Sequence, residues 1–319
     1  MRFICLDGEN QYLPIVERDV MPLLQAAGVT LDWRELKLAD VDGVIAAAQG
    51  YDGVYVIGDQ GPLPQRLIAE VPSLRMISFV GTGAERFVDL KQAREAGVAV
   101  TNVPDFASQS VAEHALALIF AVARRIPAGD RTIRGGEWVK DQGLLLKGRR
   151  LGVLGMGAIG ERLARMGQAL GMDVSYWNRS ERTDLEGWHA VSQEELFATS
   201  DVLSVHLLHT PETDGLITAE LLATLPENAV VVNTARAEVF AAGALEGALA
   251  SGRLFGAGVD VFTEEPPNPA SLPGTDTNVV LSPHVGFHTD EADAVFSIAA
   301  QNIVEFVSGR STNRVENLS

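Results

Sequence analysis

The stretch from Leu151 to Gly160 most restricts what this chain can fold into. An apolar run, Leu151 to Leu154, meets Gly155, Gly157 and Gly160 at G-x-G-x-x-G spacing, and a helix-like run follows to Leu170. Glycine-rich turns are common, so the spacing by itself is a weak signal. A strand before it and a helix after it give it meaning, because that context makes a βαβ unit with an anion cradle. Gly155 permits the tight turn, Gly157 lets a pyrophosphate approach the backbone, and Gly160 lets the helix pack close to the strand. Ala158 and Ile159 open that helix, whose free N–H groups and positive dipole end face the phosphates. Residues 155, 157, 158, 159 and 160 are therefore expected to hold a dinucleotide.

The rest of the chain repeats the same alternation. Residues 1–100 carry strand-like runs (RFICL, VTLDW, DGVYVIG, RMISFVG, GVAVTN) separated by segments with apolar spacing near 3.6. None shows period-2 alternation, as expected of parallel strands buried on both faces. A mostly apolar helix is expected over 110–126, with Ser108 or Ser110 as its cap and Arg124 and Arg125 at its C-terminal end. A second series follows, with strands at RLGVLG, MDVSYWN, DVLSVHL, AVVVNTA, GAGVDVF and VVLSPHV. The stretch 289–309 reads as a final helix returning to the first series, and a loop is expected near 127–147. The expected architecture is α/β, with two Rossmann-like doubly wound parallel-sheet domains. Residues 1–102 and 288–319 would form a discontinuous, flavodoxin-like substrate domain, and residues 103–287 an NAD(P)-binding domain.

Composition narrows the partners. A length of 319 residues exceeds one ordinary core, and 46% hydrophobic residues suffice to fill two. Acids outnumber bases 42 to 25, for a formal charge of −17. Such a surface repels nucleic acid and anionic lipid, so neither is an expected partner. An anionic ligand then needs a local cationic pocket. The single cysteine, Cys5, rules out internal disulfides and thiolate clusters and reads as a small buried hydrophobe. Acidic residues interrupt the N-terminus before any leader-like apolar region, and the longest apolar run, 115–123, is about half a bilayer span. A soluble, cytoplasmic protein is expected.

The tip of the MDVSYWN strand identifies the dinucleotide. Seventeen residues separate Gly160 from Asn178, which puts Asn178 where an acid would bind an adenosine ribose. Asn178 is neutral, Arg179 offers a fork of donors suited to phosphate, and Ser180 adds a hydroxyl. The tip therefore points to NADP(H) as the preferred cofactor, with NAD(H) as the other candidate. Arg182 is a second candidate partner for the 2′-phosphate. The plain alternative is that Arg179 is a surface cation beside Glu181.

Three more strand ends carry chemistry. Arg236 follows AVVVN; Asp260 lies in the GAGVDVF strand, with Glu265 just beyond it before Pro266; His284 follows VVLSP. Ligands in open α/β sheets sit at the carboxyl ends of strands. A cation, an acid and an imidazole thus converge on the edge that carries the glycine loop. Each has an ordinary alternative: a surface arginine, solvated loop carboxylates at Glu264 and Glu265, a structural histidine. His206, His209 and His288 are read as structural or pocket-lining.

With these residues in view, the chain resembles the D-isomer-specific 2-hydroxyacid dehydrogenase family over nearly its full length. The family order of Arg, Glu of an E-P step and His of P-H-x-G is matched by Arg236, Glu265-Pro266 and Pro283-His284-Val285-Gly286. Val111–Ala115 resembles its V-A-E-H-A helix, and residues 81–90 its substrate loop. The resemblance implies that Thr82 and Gly83 meet a substrate carboxylate and that Asp260 holds the nicotinamide carboxamide. It also implies that Thr234 and Ala235 line that ring, that Leu207 lies near the adenosine, and that the chain forms a homodimer through its nucleotide-binding domain. Arg236 would bind the carboxylate of a 2-keto acid, and His284, paired with Glu265, would give the alkoxide its proton. Departures at Ala237, Glu238, Leu208, His209, Phe287 and His288 cluster around the cofactor and the active-site mouth.

The loop 57–64 lacks an arginine for a substrate phosphate, and no regulatory domain is expected beyond Ser319. The expected reaction is reduction of a small unphosphorylated 2-keto acid such as glyoxylate or hydroxypyruvate. The alternatives are a phosphoglycerate or phosphite dehydrogenase-like enzyme on the same fold, formate being disfavoured by Glu265, and a dinucleotide-sensing corepressor.

Overall fold

The computed structural model describes residues 1–180, 182, 185, 187–274, 277–310 and 312–316; Glu181 and residues 317–319 lie outside them. The chain divides into two compact units, Met1–Phe106 with Asp290–Ser319, and Ala107–Thr289.

In the first unit, five parallel strands, β1 (Arg2–Cys5), β2 (Thr30–Trp33), β3 (Gly53–Val56), β4 (Met76–Phe79) and β5 (Ala99–Thr101), stand in the order β2-β1-β3-β4-β5. This is the flavodoxin-like doubly wound order. Side chains alternate across each strand, so continuous apolar runs fill two layers. Ile4, Val54, Val56, Ile77 and Val100 share one core with Val44 and Ile45 of helix Val41–Ala48. Phe3, Cys5, Tyr55, Met76 and Ala99 face the other, where helix Ala294–Val307 contributes Phe296, Ala299 and Ile303. That helix is tied down by polar contacts. The Tyr55 hydroxyl donates to the Phe296 carbonyl at 2.7 Å, and the Ser78 hydroxyl to the Ala299 carbonyl at 2.8 Å.

The helix begins later than its acidic lead-in suggests. Amides of Ala294, Val295 and Phe296 reach back three residues rather than four, so 290–293 forms tighter turns before the α register starts.

The second unit holds seven parallel strands: β6 (Arg150–Leu154), β7 (Asp173–Trp177), β8 (His189–Ala190), β9 (Val202–Val205), β10 (Ala229–Asn233), β11 (Leu254–Val259) and β12 (Val279–Leu281). Their order, β12-β11-β10-β9-β6-β7-β8, reverses direction of growth between β6 and β9, the usual place for a ligand crevice. Helix Ser108–Ala123 packs Ala115, Leu118, Ile119 and Val122 onto this sheet. Glycines in β11 permit the close approach, since a Cβ at Gly258 would lie 2.8 Å from Leu118 Cβ.

Four local expectations are corrected. The long helix ends at Ala123, not 126, because Arg125 adopts a left-handed backbone (φ 51°) and Pro127 restarts a new helix, Ile126–Arg134, where a loop was expected. Neither Ser108 nor Ser110 caps the long helix. Both lie inside it, and the Ser110 hydroxyl donates back to the Ala107 carbonyl at 3.0 Å. Asp260 lies just past β11 rather than in it. Among the described residues no helix is long and apolar enough to cross a membrane.

Tyr55→Phe should remove the tie to Phe296 without changing the core's shape. A loss of about 1 kcal/mol in urea unfolding is expected. An unchanged midpoint would show that apolar packing alone seats the C-terminal helix.

Candidate active site

All seven strands of the second unit are parallel, so their carboxyl ends share one edge. The glycine loop follows β6 on that edge. Gly155 has φ +101°, and a Cβ there would meet the His206 carbonyl oxygen at 2.8 Å. A Cβ at Gly160 would lie 2.4 Å from the Gly155 carbonyl oxygen. At Gly157 nothing lies within 4 Å of the Cβ position, so the backbone faces open space. Gly157 precedes helix Ala158–Ala169 and has no side chain to cap it. The N–H groups of Ala158 and Ile159, in the first turn, lack partners within that helix. The cradle thus fits a dinucleotide phosphate.

Around the loop, Gly155 N–H donates to the Trp177 carbonyl at 2.9 Å, joining the β7 tip to the cradle. Asn178 Nδ2 donates to the Ser180 carbonyl at 2.9 Å and so shapes the turn. Arg179 is largely exposed, 3.9 Å from Glu212. Arg182 instead leans onto the cradle: its Nη1 donates to the Met156 carbonyl at 2.7 Å, and Nη2 is 3.8 Å from Glu161. Leu207 is buried, with Cδ2 3.1 Å from the Cβ position of Gly155.

Past β10, the buried Asn233 builds the turn that carries three of the candidates. Its Oδ1 accepts from Ala235 N–H at 3.0 Å, and its Nδ2 donates to the Arg236 carbonyl at 3.0 Å. Arg236 Nη1 donates to the Ala235 carbonyl at 2.7 Å. The hydroxyl of Thr234 is buried with no hydrogen-bond partner among the described residues. A buried orphan of this kind costs about 1–3 kcal/mol, and a ligand amide or hydroxyl would relieve it.

Glu265 and His284 sit past β11 and β12. Nδ1 of His284 lies 2.8 Å from Oε2 of Glu265, and both side chains are a little over one-third exposed. The other Glu265 oxygen accepts from Phe262 N–H at 3.0 Å, which orients the carboxylate. The geometry therefore selects Glu265 over its neighbour Glu264 as the histidine's partner. With Nδ1 engaged by a carboxylate, Nε2 is the nitrogen without a hydrogen bond among the described residues. Phe287 stands edge-on to the imidazole at 6.2 Å.

Asp260 is almost fully buried and binds the loop that carries His284. It accepts from Ser282 Oγ at 2.6 Å, Val285 N–H at 3.0 Å and Gly286 N–H at 2.9 Å, with His114 Nε2 at 3.3 Å. Burial pushes its pKa up, but the hydrogen bonds from His114, Ser282 and the two amides outweigh burial and hold it below the usual carboxylate value. Sequence reasoning missed Asn233, His114 and Ser282. Only the polar breaks they make in apolar surroundings marked them.

Thr82 and Gly83 belong to the first unit, past β4. There Thr82 Oγ1 donates to the Val103 carbonyl at 3.2 Å, and the Thr82 carbonyl accepts from Asn102 Nδ2 at 2.6 Å. Gly83 leads into the short turn Ala84–Arg86.

Comparison with known proteins adds independent information. The model of the D-isomer specific 2-hydroxyacid dehydrogenase NAD binding domain matches residues 116–286. The chain is 35% identical over 295 residues to a glyoxylate reductase of Aeropyrum pernix, covering 87% of this chain and 86% of that one. It is 34% identical to a D-3-phosphoglycerate dehydrogenase of Archaeoglobus fulgidus, over 82% of this chain and 51% of the relative. Its structure resembles a glyoxylate reductase from Paecilomyes thermophila with a TM-score of 0.86 at 28% identity, covering 100% and 99% of the two chains.

His206, beside the cradle, yields a pH test. Its Nε2 is 2.9 Å from Ser204 Oγ, its Nδ1 is buried with no hydrogen-bond partner among the described residues, and burial lowers its pKa to about 4. The neutral ring therefore contributes stability above the unfolded-state value of about 6.5, and this is lost as pH falls toward 4. Between pH 7 and pH 4 the native chain should lose on the order of 2 kcal/mol more than His206→Gln in urea unfolding. Parallel stability curves would show that the ring titrates freely.

Proposed function

Since the chain belongs to the D-isomer-specific 2-hydroxyacid dehydrogenase family, we propose that it reduces small unphosphorylated 2-keto acids, glyoxylate or hydroxypyruvate, with NADPH preferred over NADH. The observation that carries this reading is the His284–Glu265 pair at 2.8 Å on the edge that holds the glycine cradle. The names of the relatives support the substrate class.

Bound NADPH supplies the hydride to the carbonyl carbon. The protein's residues do the rest. The amides of Ala158 and Ile159 would hold the pyrophosphate, Leu207 would lie near the adenosine, and Thr234 and Ala235 would line the nicotinamide site. Arg236 binds the substrate carboxylate and draws charge from the carbonyl oxygen. A guanidinium has five N–H donors, so one donor on the Ala235 carbonyl is compatible with that task. His284 Nε2 gives its proton to the developing alkoxide, while Glu265 steadies the imidazolium from Nδ1. In the oxidation direction His284 accepts the proton. Arg179, Ser180 and Arg182 would meet the 2′-phosphate, a reading that the position of Arg182 beside the cradle supports.

A homodimer through the nucleotide-binding unit is part of the proposal. Its support is the set of exposed apolar side chains Ile126, Ile133, Trp138, Val139 and Leu145 on one segment of that unit. Sedimentation should report twice the 34.1 kDa chain mass.

The decisive assay follows NADPH absorbance with glyoxylate, hydroxypyruvate, pyruvate and 3-phosphohydroxypyruvate. Turnover of the first two is expected, and no consumption with any of the four would defeat the reading. His284→Ala should lower kcat on the order of 10²–10⁴-fold with NADPH affinity nearly unchanged. Arg179→Ala and Arg182→Ala should each weaken NADPH by about tenfold or more while leaving NADH nearly unchanged. Equal weakening of both cofactors would remove the 2′-phosphate assignment.

A further inference from the structure

His284 adopts φ +53°, a left-handed backbone that residues with a side chain rarely take up. Such a conformation persists only where its surroundings over-determine it. The surroundings here consist of one buried carboxylate and the groups that feed it. Asp260 Oδ1 accepts from Ser282 Oγ and Val285 N–H, and Oδ2 from Gly286 N–H, while the Asp260 carbonyl accepts from His284 N–H at 2.8 Å. The loop is thus gripped on both sides of the strained residue.

The grip extends to another element. His114 lies on helix Ser108–Ala123, 168 residues from Ser282, with Nε2 2.8 Å from the Ser282 hydroxyl. A hydroxyl has one proton to give. The 2.6 Å contact from Ser282 to a carboxylate uses it, because a carboxylate only accepts. His114 must therefore donate, which places its proton on Nε2, facing both the Ser282 hydroxyl and, at 3.3 Å, Asp260 Oδ1. The space is also closed to larger groups: a Cβ at Gly286 would stand 3.1 Å from Asp260 Oδ2 and 3.4 Å from His114 Cδ2.

We infer that His114 and Ser282 are positioning residues that act through Asp260 to hold the backbone of the catalytic histidine in its left-handed conformation. His114 anchors the loop to the long core helix, so that the imidazole meets Glu265 at the right angle without sampling alternatives. This inference rests on the role proposed above for His284, but part of its test does not require turnover.

The test compares native protein, His114→Phe, His114→Gln and Ser282→Ala. The first measurement is hydrogen–deuterium exchange on the full-length, cofactor-free protein. His114→Phe and Ser282→Ala should raise exchange in the peptide spanning 282–288 by about tenfold or more, with β6 unchanged. The second is steady-state kinetics with glyoxylate at saturating NADPH. There kcat should fall about tenfold or more while KM changes little, because a misaimed imidazole harms the chemical step. His114→Gln, which keeps an N–H donor at a similar reach, should recover most of both losses. Unchanged exchange at 282–288 in both disrupting variants would overturn the inference. So would a rise spread evenly over the whole unit, or a His114→Gln variant no better than His114→Phe. If His114→Phe does not fold, Ser282→Ala decides by the same readouts. If native protein reduces no 2-keto acid, the proposed function fails, and the exchange measurement still decides whether His114 holds the loop.

Discussion

A parallel sheet delivers the carboxyl end of every strand to one edge, and this constraint organises the second unit. Because β6 and β9 to β12 run the same way, the glycine cradle, the Asn233 turn, Asp260 and His284 share that edge although they span 130 residues of chain. No pair of them needs to be close in sequence. Each needs only to follow its strand by a few residues. The Leu118–Gly258 contact has the same dependence, since a helix lying close on β11 is what puts His114 over the strand ends.

Two buried aspartates show how finely the strand ends are set. Asp7, past β1, accepts the amides of Ile57 and Gly58. Asp260, past β11, accepts those of Val285 and Gly286. The motif is shared, yet their pKa values move in opposite directions. At Asp7 burial is the larger influence, and the carboxyl is raised above its ordinary value although amides and the Cys5 thiol donate to it. At Asp260 the additional donors are an imidazole and a hydroxyl, and the hydrogen bonds win over burial. Asp7 is the more deeply desolvated of the two and its extra donor is a weak thiol, so burial and partner chemistry both push the two values apart. The loop that carries His284 is held by the carboxylate whose pKa is lowered.

Charge is managed locally against an acidic whole. A chain of −17 that binds a phosphorylated cofactor and an anionic acid must concentrate its cations, and it does so on backbone rather than in open ion pairs. Arg182 and Arg236 each donate to a carbonyl within the site, which holds the guanidinium in place. Arg179 lies 3.9 Å from Glu212 and stays mostly exposed.

The glycine cradle, the two α/β series and the order of Arg236, Glu265 and His284 were legible in the amino-acid sequence, because each depends on backbone geometry or spacing within a few residues of a strand. Gly155, Gly157 and Gly160 act within six positions, and their roles follow from sterics that any sequence reading can apply. Tertiary structure alone decided that Arg182 is the arginine on the cradle, and that His114, Ser282 and Asp260 form one hydrogen-bonded cluster. It also ended the long helix at Ala123 and left Ser108 and Ser110 uncapping within it. These outcomes rest on contacts between groups up to 168 residues apart or on a single backbone turn at Arg125. Local periodicity has no means of expressing them, since a hydrogen bond across a sheet edge depends on where whole elements pack.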